Sequence, residues 1–328
     1  MTIGEIAKRA GVSPAAVSRY FNNGYVSEQK RAAIGKVVEE TGYRPSAQAQ
    51  TLRTRKTKLI GVIVPRIDSE PIGRIVAGIL SVLEQSGYRM LLADTQNDPG
   101  RELEYLGVFG EKQVDGVILA ATIFTPGHIK QLKAMTIPLA IVGQRLDGCY
   151  CVYHDDYRSM YDMTQWVIGQ GCRRLAFMRA MQEDRAAGRE RYRGYCEALL
   201  EAGLSERAAC CVTADFTVES GFQKARELFD MCPEAEAVLC AADNMAIGVL
   251  QYLKEQKGGS AGRILVTGHG DSALMRVMTP PAPTVRYYYE DSGMLAARMV
   301  LDLVDKKEGV AREVRLGYQL VIGPVTAD

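Results

Sequence analysis

Two short segments carry side chains whose types and spacing could support catalysis. Residues 268–273, Gly-His-Gly-Asp-Ser-Ala, fit the GxGxxA pattern of a dinucleotide-binding turn, with Glu290 roughly twenty residues further on. Residues 153–156, Tyr-His-Asp-Asp, could form a metal site or an acid–base cluster. Both signals are weak, because prolines at 280, 281 and 283 cut short the helix that follows the first segment, and no second histidine stands at ligand spacing from the other.

The remaining chemistry-bearing residues predict neither a cofactor nor a metal. The eight cysteines are scattered without a CxxC pair, which favours buried, reduced thiols over a zinc site or a disulfide framework. The sequence also contains no P-loop and no HExxH motif. An enzyme therefore stays only as the alternative interpretation, in the form of a sugar- or cofactor-processing enzyme with an accessory basic domain.

Length and hydropathy predict a multi-core protein outside the membrane. A chain of 328 residues exceeds what one small core organises, so two or three cores are expected. The first apolar residues are interrupted by Glu5, Lys8 and Arg9, and no apolar run approaches the roughly 20 residues that span a bilayer. We therefore expect a cytoplasmic protein, which argues against a sugar-binding protein of the transport type.

The distribution of charge divides the chain into two parts. The net charge is only +1, but residues 1–58 hold eleven basic and four acidic side chains, a net charge of +7, so the rest of the chain carries −6. A small basic segment joined to a larger acidic one is typical of a protein that places one module on nucleic-acid phosphates.

The basic segment also has the pattern of a helix-turn-helix. Apolar residues at helical spacing from Ile3 stop at Gly11, which suits a left-handed turn, and Ser13 followed by Pro14 is a typical start of a second helix. A third helix is predicted from about residue 28 to residue 41. In a helix-turn-helix the second helix enters the major groove of DNA and presents its N-terminal residues to the bases.

Several segments resemble one known family in their order and spacing. TIGEIAKRAGVSPAAVSRYFNN, VSEQKRAAIGKVVEETGYRPSAQAQTLR and KTKLIGVIVP resemble the DNA-binding head, hinge and first core strand of the lactose-repressor/galactose-repressor (LacI/GalR) family. The resemblance continues through VDGVIL, AADNMAIGVLQYL and PAPTV. It departs at Ala49-Gln50-Thr51-Leu52, where the family commonly has Ala-Arg-x-Leu.

The resemblance implies which residues contact DNA. Arg19 can pair bidentately with guanine, and the Ala15 methyl can meet a thymine methyl. The hinge is expected to become helical only on DNA, with Leu52 as an apolar wedge in the minor groove. The full implied set is Thr2, Ser13, Pro14, Ala15, Ser18, Arg19, Asn22, Ser46 and Leu52.

The acidic part predicts an α/β core. From Leu59 onward, eight short apolar runs alternate with amphipathic stretches, which is the pattern of parallel sheets covered by helices. So many units suit two lobes, and the resemblance implies a two-lobed, periplasmic-binding-protein-like core behind an all-α helix-turn-helix head. The predicted domains are a DNA-binding domain over 1–45, a hinge helix and linker over 46–58, and an effector-binding and dimerisation core over 59–328.

Ligands of open α/β sheets bind at the carboxyl ends of strands, here in the cleft between the lobes. Arg66 and Arg145 follow predicted strands directly, and two arginines suit a phosphate better than a neutral sugar. Segments such as VPRIDSEP are similar to those of trehalose- and sucrose-operon repressors, which implies a phosphorylated disaccharide. The predicted ligand-binding residues are Arg66, Arg145, Asp155, Tyr157, Arg191, Asp243, Asp271 and Tyr289.

The sequence thus predicts a ligand-controlled, sequence-specific regulator of transcription. We expect a repressor that binds a pseudopalindromic double-stranded operator as a homodimer and responds to a sugar or a sugar phosphate, without a cofactor.

The charge division makes DNA binding strongly dependent on salt. We expect operator affinity to fall steeply between about 50 and 200 mM salt, because counterions released from phosphates oppose binding as salt rises. Deleting residues 1–58 should abolish the shift of duplex DNA in a gel and leave effector binding intact. A truncated core that still shifts DNA would contradict this assignment.

Overall fold

The computed structural model describes residues 1–22, 24–43, 56–205, 210–256, 264–278 and 281–322. These residues belong to two compact units, Met1–Lys58 and Leu59–Asp328. Among the described helices, none combines the length and apolar character that a bilayer span requires.

The first unit is a three-helix head. Its helices are α1 (Ile3–Ala10), α2 (Pro14–Phe21) and α3 (Glu28–Thr41). Thr2 and Glu5 form a capping box at the start of α1, and Gly11 ends it at φ 65°. The apolar faces of the three helices bury one small core: Ile6, Ala7, Ala16, Val17, Ile34 and Val37.

The second unit alternates strands and helices. The strands are β1 (Leu59–Val64), β2 (Arg89–Asp94), β3 (Gly116–Ala120), β4 (Leu139–Val142), β5 (Tyr150–His154), β6 (Leu175–Arg179), β7 (Cys211–Thr213), β8 (Ala237–Cys240), β9 (Leu265–Thr267), β10 (Thr284–Tyr287), β11 (Glu313–Leu316) and β12 (Tyr318–Val321). The helices are α4 (Glu70–Gln85), α5 (Pro99–Val108), α6 (Pro126–Ala134), α7 (Asp156–Gly169), α8 (Arg191–Glu201), α9 (Val218–Met231), α10 (Asp243–Gln256), α11 (Ala273–Val277) and α12 (Tyr289–Val304), with π-helical turns at Phe109–Gln113 and Arg185–Glu190.

The strands form two parallel sheets, one in each lobe. The first lobe holds a six-stranded sheet in the order β11-β5-β4-β3-β1-β2, and the second a four-stranded sheet in the order β7-β6-β8-β9. A short antiparallel pair, β10-β12, extends the second lobe. Helices bury apolar side chains against the sheets. The predicted fold class, two parallel sheets flanked by helices after a helical head, is confirmed.

Within the described residues, the chain passes between the lobes three times. β5 leads into α7 through Asp155, β10 leads into α12 through Tyr288, and β11 leads into β12 through Gly317. These crossing segments lie at carboxyl ends of strands, so they bring side chains from both lobes to the edge where a ligand would bind.

A close helix crossing fixes the second of these segments against the first lobe. Helices α4 and α12 approach so closely that a Cβ atom on Gly78 would lie 2.0 Å from the Glu290 carbonyl oxygen. A Cβ atom on Gly293 would lie 2.1 Å from the Ile75 carbonyl oxygen. Each helix therefore uses a glycine to admit the backbone of the other, and α12 cannot slide without losing this fit.

This crossing predicts opposite effects for two Gly→Ala changes. Gly293→Ala should lower the free energy of unfolding by about 1–3 kcal/mol or more, because the new methyl group overlaps backbone atoms. Gly73→Ala, at a position on α4 with no atom within 4 Å of the added Cβ, should raise it by roughly 0.5–1 kcal/mol. Urea denaturation measures both, and equal effects would contradict the close crossing.

Candidate functional site

The exposed face of α2 carries the residues expected to read bases. Ala16 and Val17 are buried in the core of the head. Pro14, Ala15 and Arg19 are exposed on the other side of the same helix. Since Arg19 follows Ala15 by four residues, both side chains lie on one face, as a helix in the major groove requires.

The residues expected at DNA phosphates surround that face. Thr2 and Ser13 are the N-caps of α1 and α2, each accepting a backbone N–H at 3.3 Å. The Asn22 side-chain amide donates to the Ser18 carbonyl oxygen at 2.5 Å at the end of α2. Ser46 and Leu52, predicted for the hinge, lie outside the described residues.

In the second unit, Arg191 is the centre of a buried polar cluster. Its Nε and Nη2 atoms donate to Asp156 Oδ1 at 2.8 and 2.7 Å, and Nη1 donates to the Ala241 carbonyl oxygen. Burial acts to lower the pKa of Arg191, but Tyr287 and Asp156 raise it overall. The guanidinium therefore stays charged and is held in one orientation.

Tyr287 joins this ion pair to the crossing segments. Its hydroxyl donates to Asp156 Oδ1 at 3.2 Å and shares a 2.6 Å hydrogen bond with Ser159. The Arg191 guanidinium lies 5.1 Å from the centre of the Tyr287 ring, and the His154 ring lies 4.8 Å away. Asp156, beside the first crossing, and Tyr287, beside the second, are thus joined by a hydrogen bond.

Two buried histidines flank the same tyrosine. Burial lowers the pKa of His154 to about 4. Burial and the nearby Arg191 hold the pKa of His269 well below its usual range. Both rings are therefore neutral at pH 7. Tyr289 completes the aromatic group, with its ring centre 5.5 Å from that of His154.

The predicted carboxylates Asp243 and Asp271 lie at the start of α10 and in the loop after β9. Asp243 accepts the Ser272 amide at 2.6 Å and the Thr284 hydroxyl at 2.5 Å, while burial raises its pKa. Asp271, at φ 53°, is bonded by two arginines, Arg276 and Arg286. Burial would raise the Asp271 pKa, but these two hydrogen bonds lower it overall.

Asp155 and Tyr157, two predicted ligand-binding residues near the first crossing, contact residues other than Arg191. Asp155 caps α7 and forms an ion pair with Arg315 at 3.2 Å. The Tyr157 ring stacks on Tyr161 and lies 4.4 Å from the Arg193 guanidinium. It is the next carboxylate, Asp156, that reaches Arg191.

The two arginines predicted for a phosphate are already paired. Arg66 Nε donates to Asp68 at 2.9 Å. Arg145 binds Glu313 at 2.8 Å and Asp147 at 2.7 Å. All three pairs are exposed, and such pairs contribute little stability, so the guanidinium groups can exchange partners.

Sequence reasoning missed several cleft residues. Phe216 follows β7, is 39% exposed, and its carbonyl oxygen accepts the Asn244 amide beside Asp243. An aromatic directly after a predicted strand was a signal that could have identified it. Asp156 belongs to the segment 153–156 that the sequence singled out, but its pairing with Arg191 had no sequence signal, and neither had Arg74, because these contacts join residues far apart in the chain.

Several contacts between described residues join the lobes around the cleft. The Glu70 carboxylate on α4 accepts the Ala273 amide at 3.3 Å. Gln144 donates to Asp184 at 3.2 Å, and burial raises the Asp184 pKa to about 6. A ligand between the lobes would therefore lie against polar groups of both. Among the described residues no group of acidic, cysteine or histidine side chains could hold a metal ion.

Comparison with known proteins agrees with this division into head and core. The model of bacterial regulatory proteins of the lacI family matches residues 2–46, and a periplasmic binding protein-like domain matches residues 164–324. The chain is similar to the sucrose operon repressor of Staphylococcus xylosus, with 30% identity over 294 residues that cover 90% of this chain and 91% of that protein.

Solved structures show the same arrangement. A complex of the transcriptional regulator CelR with cellobiose has 28% identity and a TM-score of 0.76, covering 98% of this chain and 99% of the other. The lac repressor bound to ONPG in its repressed state has 21% identity and a TM-score of 0.87, covering 99% of both chains. The second likeness is one of fold.

The buried His154 predicts a pH dependence of stability. Its pKa is about 4 when folded and about 6.5 when unfolded, so below pH 6.5 only the unfolded chain takes up this proton. Its contribution to the free energy of unfolding should fall by about 1.5 kcal/mol from pH 6.5 to pH 5. In urea titrations at both pH values, His154→Gln should lose less stability than the parent. Asp184 also has a shifted pKa, but it is present in both proteins, so its effect cancels in the comparison. Equal losses of stability in the two proteins would contradict the assignment of a low pKa to His154.

Proposed function

We propose that this chain, which belongs to the LacI family of bacterial regulatory proteins, represses sugar-utilisation genes under the control of a sugar effector. Family membership makes it a DNA-binding regulator of transcription, and no longer a candidate enzyme. The observation that carries the finer proposal is the separation of two surfaces: an exposed reading helix in the basic head, and a polar cleft around Arg191 in the acidic core. The protein would act in the cytoplasm, where its operator lies.

The head supports sequence-specific operator binding. Arg19 and Ala15 share an exposed face of α2, where a guanidinium can pair with guanine and a methyl group with thymine. The domain boundaries of this proposal are 1–45 for the helix-turn-helix, 46–58 for the hinge and linker, and 59–328 for the core.

A homodimer would present two such heads to one pseudopalindromic operator. Leu80 on α4 and Leu91 on the edge strand β2 are 37% and 39% exposed on the first lobe. Large apolar side chains at such positions suit contact with a second copy.

The cleft supports a sugar as effector. Sugars need hydrogen-bonding groups beside an aromatic wall, and the cleft offers Arg191 and Asp243 beside Tyr289 and Phe216. The relative with 28% identity was solved with cellobiose, and the relative with 30% identity is named for a sucrose operon. We therefore propose a disaccharide, free or phosphorylated, with Arg66 and Arg145 available to a phosphate.

Two substitutions should separate operator binding from the response to the effector. Arg19→Ala should weaken operator binding by roughly 1–3 kcal/mol and relax the preference at one base pair per half-site, while effector binding is unchanged. Arg191→Lys should keep operator binding but lose release by the effector, because the forked contacts to Asp156 and Ala241 are lost.

The measurement is a gel shift on an operator selected from random DNA, with and without sugars that include sucrose and cellobiose. Thermal unfolding controls for folding of each variant. The proposal fails if Arg19→Ala weakens random and selected DNA equally, or if Arg191→Lys still releases the operator at the same sugar concentration.

A further inference from the structure

We infer that Arg74 is an effector-contact residue that binds a phosphate group on the sugar. This inference rests on the proposed function, because it assigns a charge to the ligand of the same cleft. It differs from the sequence-based expectation, which assigned the phosphate to Arg66 and Arg145 alone.

Arg74 lies where the two lobes face each other. It stands on the second turn of α4 in the first lobe, and its Nη1 atom donates to the Gly270 carbonyl oxygen in the second lobe. Its guanidinium lies 5.4 Å from the centre of the Tyr289 ring. Tyr289 in turn contacts His154 and Tyr287, so Arg74 borders the same group of side chains as Arg191.

Few of the hydrogen-bond donors of Arg74 have a protein acceptor. The contact to Gly270 is long, at 3.4 Å, and an arginine has five N–H donors. Glu70 stands one helical turn earlier, where it could pair with Arg74, but its carboxylate accepts the Ala273 amide instead. Within the described part of the chain, Arg74 has no carboxylate within ion-pair distance.

Several other charges around the cleft form ion pairs, whereas the Asp243 and Glu70 carboxylates accept hydrogen bonds from neutral groups. Arg191 is paired with Asp156. Asp271 is bonded by Arg276 and Arg286, on the side of α11. The half-buried guanidinium of Arg74 differs from these arginines, because among the described residues it has one long hydrogen bond and a ring contact but no ion pair.

A phosphate monoester would supply the negative charge and the hydrogen-bond acceptors that Arg74 lacks. It brings negative charge and several acceptor oxygens, which match the forked donors of an arginine. Arg66 and Arg145, by contrast, must leave exposed carboxylates before they can bind an anion. A neutral sugar hydroxyl would leave the charge of Arg74 uncompensated.

The test compares full-length Arg74→Gln with the parent, with Arg74→Lys, and with Arg226→Gln as a matched control. Arg226 is exposed on α9, away from the cleft contacts described above. Calorimetry uses sucrose, cellobiose and their 6-phosphates. Thermal unfolding with inorganic phosphate adds a probe that does not depend on the sugar, since a ligand of the folded state raises the melting temperature.

The unsubstituted protein should bind each sugar 6-phosphate at least about tenfold more tightly than the corresponding unphosphorylated sugar. This difference in affinity is what one charge-assisted hydrogen bond typically contributes. Arg74→Gln should remove this preference and the thermal shift by phosphate, while neutral-sugar affinity stays the same. Arg74→Lys should restore part of both, and Arg226→Gln should behave as the parent does.

Three results would overturn the inference. They are no phosphate preference in the parent, a preference that survives Arg74→Gln, and an equal loss of affinity for sugar and sugar phosphate. Release of the operator by a neutral sugar, measured on the same proteins, would leave the proposed function standing in each case. If no sugar or sugar phosphate binds or releases the operator, the proposed function itself fails.

Discussion

A buried guanidinium group needs a carboxylate and further hydrogen-bond acceptors. In the core of this protein Arg191 is such a group, and its carboxylate partner lies beside a segment that joins the two lobes. Removing one partner of such a pair leaves an uncompensated charge and costs about 3–5 kcal/mol. Arg191 satisfies the requirement with Asp156 and the Ala241 carbonyl oxygen. Asp156 begins α7 just after the first crossing, and it also accepts the hydroxyl of Tyr287, which lies just before the second crossing. The same ion pair therefore connects the cleft to two of the segments that join the lobes.

Each lobe is held rigid by close helix pairs. In the second lobe, a Cβ atom on Gly194 would lie 2.2 Å from the Tyr157 carbonyl oxygen, and one on Gly248 would lie 2.3 Å from that of Val218. The same construction joins α4 to α12 in the first lobe through Gly78 and Gly293. Since packed helices resist small displacements, a movement of one lobe relative to the other would be confined to the crossings and the contacts between the lobes.

The distribution of charge assigns each unit its partner. Residues 1–58 carry a net positive charge and include the exposed face of α2, which suits attraction to phosphates followed by contact with bases. The core is acidic overall, and its cleft charges are mostly compensated in pairs. Arg74, which has no carboxylate within ion-pair distance among the described residues, is the cleft cation that we propose for an anionic ligand.

The sequence by itself determined the local features. Gly11 and the caps Thr2 and Ser13 define the helices of the head, because capping involves residues three apart. Each apolar run predicted as a strand contains one, because a strand buried on both faces needs an unbroken apolar stretch. The strands β5, β10, β11 and β12 lack that signal, since polar side chains such as His154, Arg286, Arg315 and Gln319 interrupt their apolar residues, and tertiary pairing placed them.

Only the tertiary structure decided which charged side chains meet. The sequence pointed to Asp155, but it is Asp156 that reaches Arg191, because the capping geometry of α7 turns neighbouring side chains in different directions. Arg74 shows the same limit, since its contacts with Gly270 and Tyr289 lie about two hundred residues away in the chain. Periodicity reports which face of an element is buried, whereas the partner of a charge depends on how separate elements are docked.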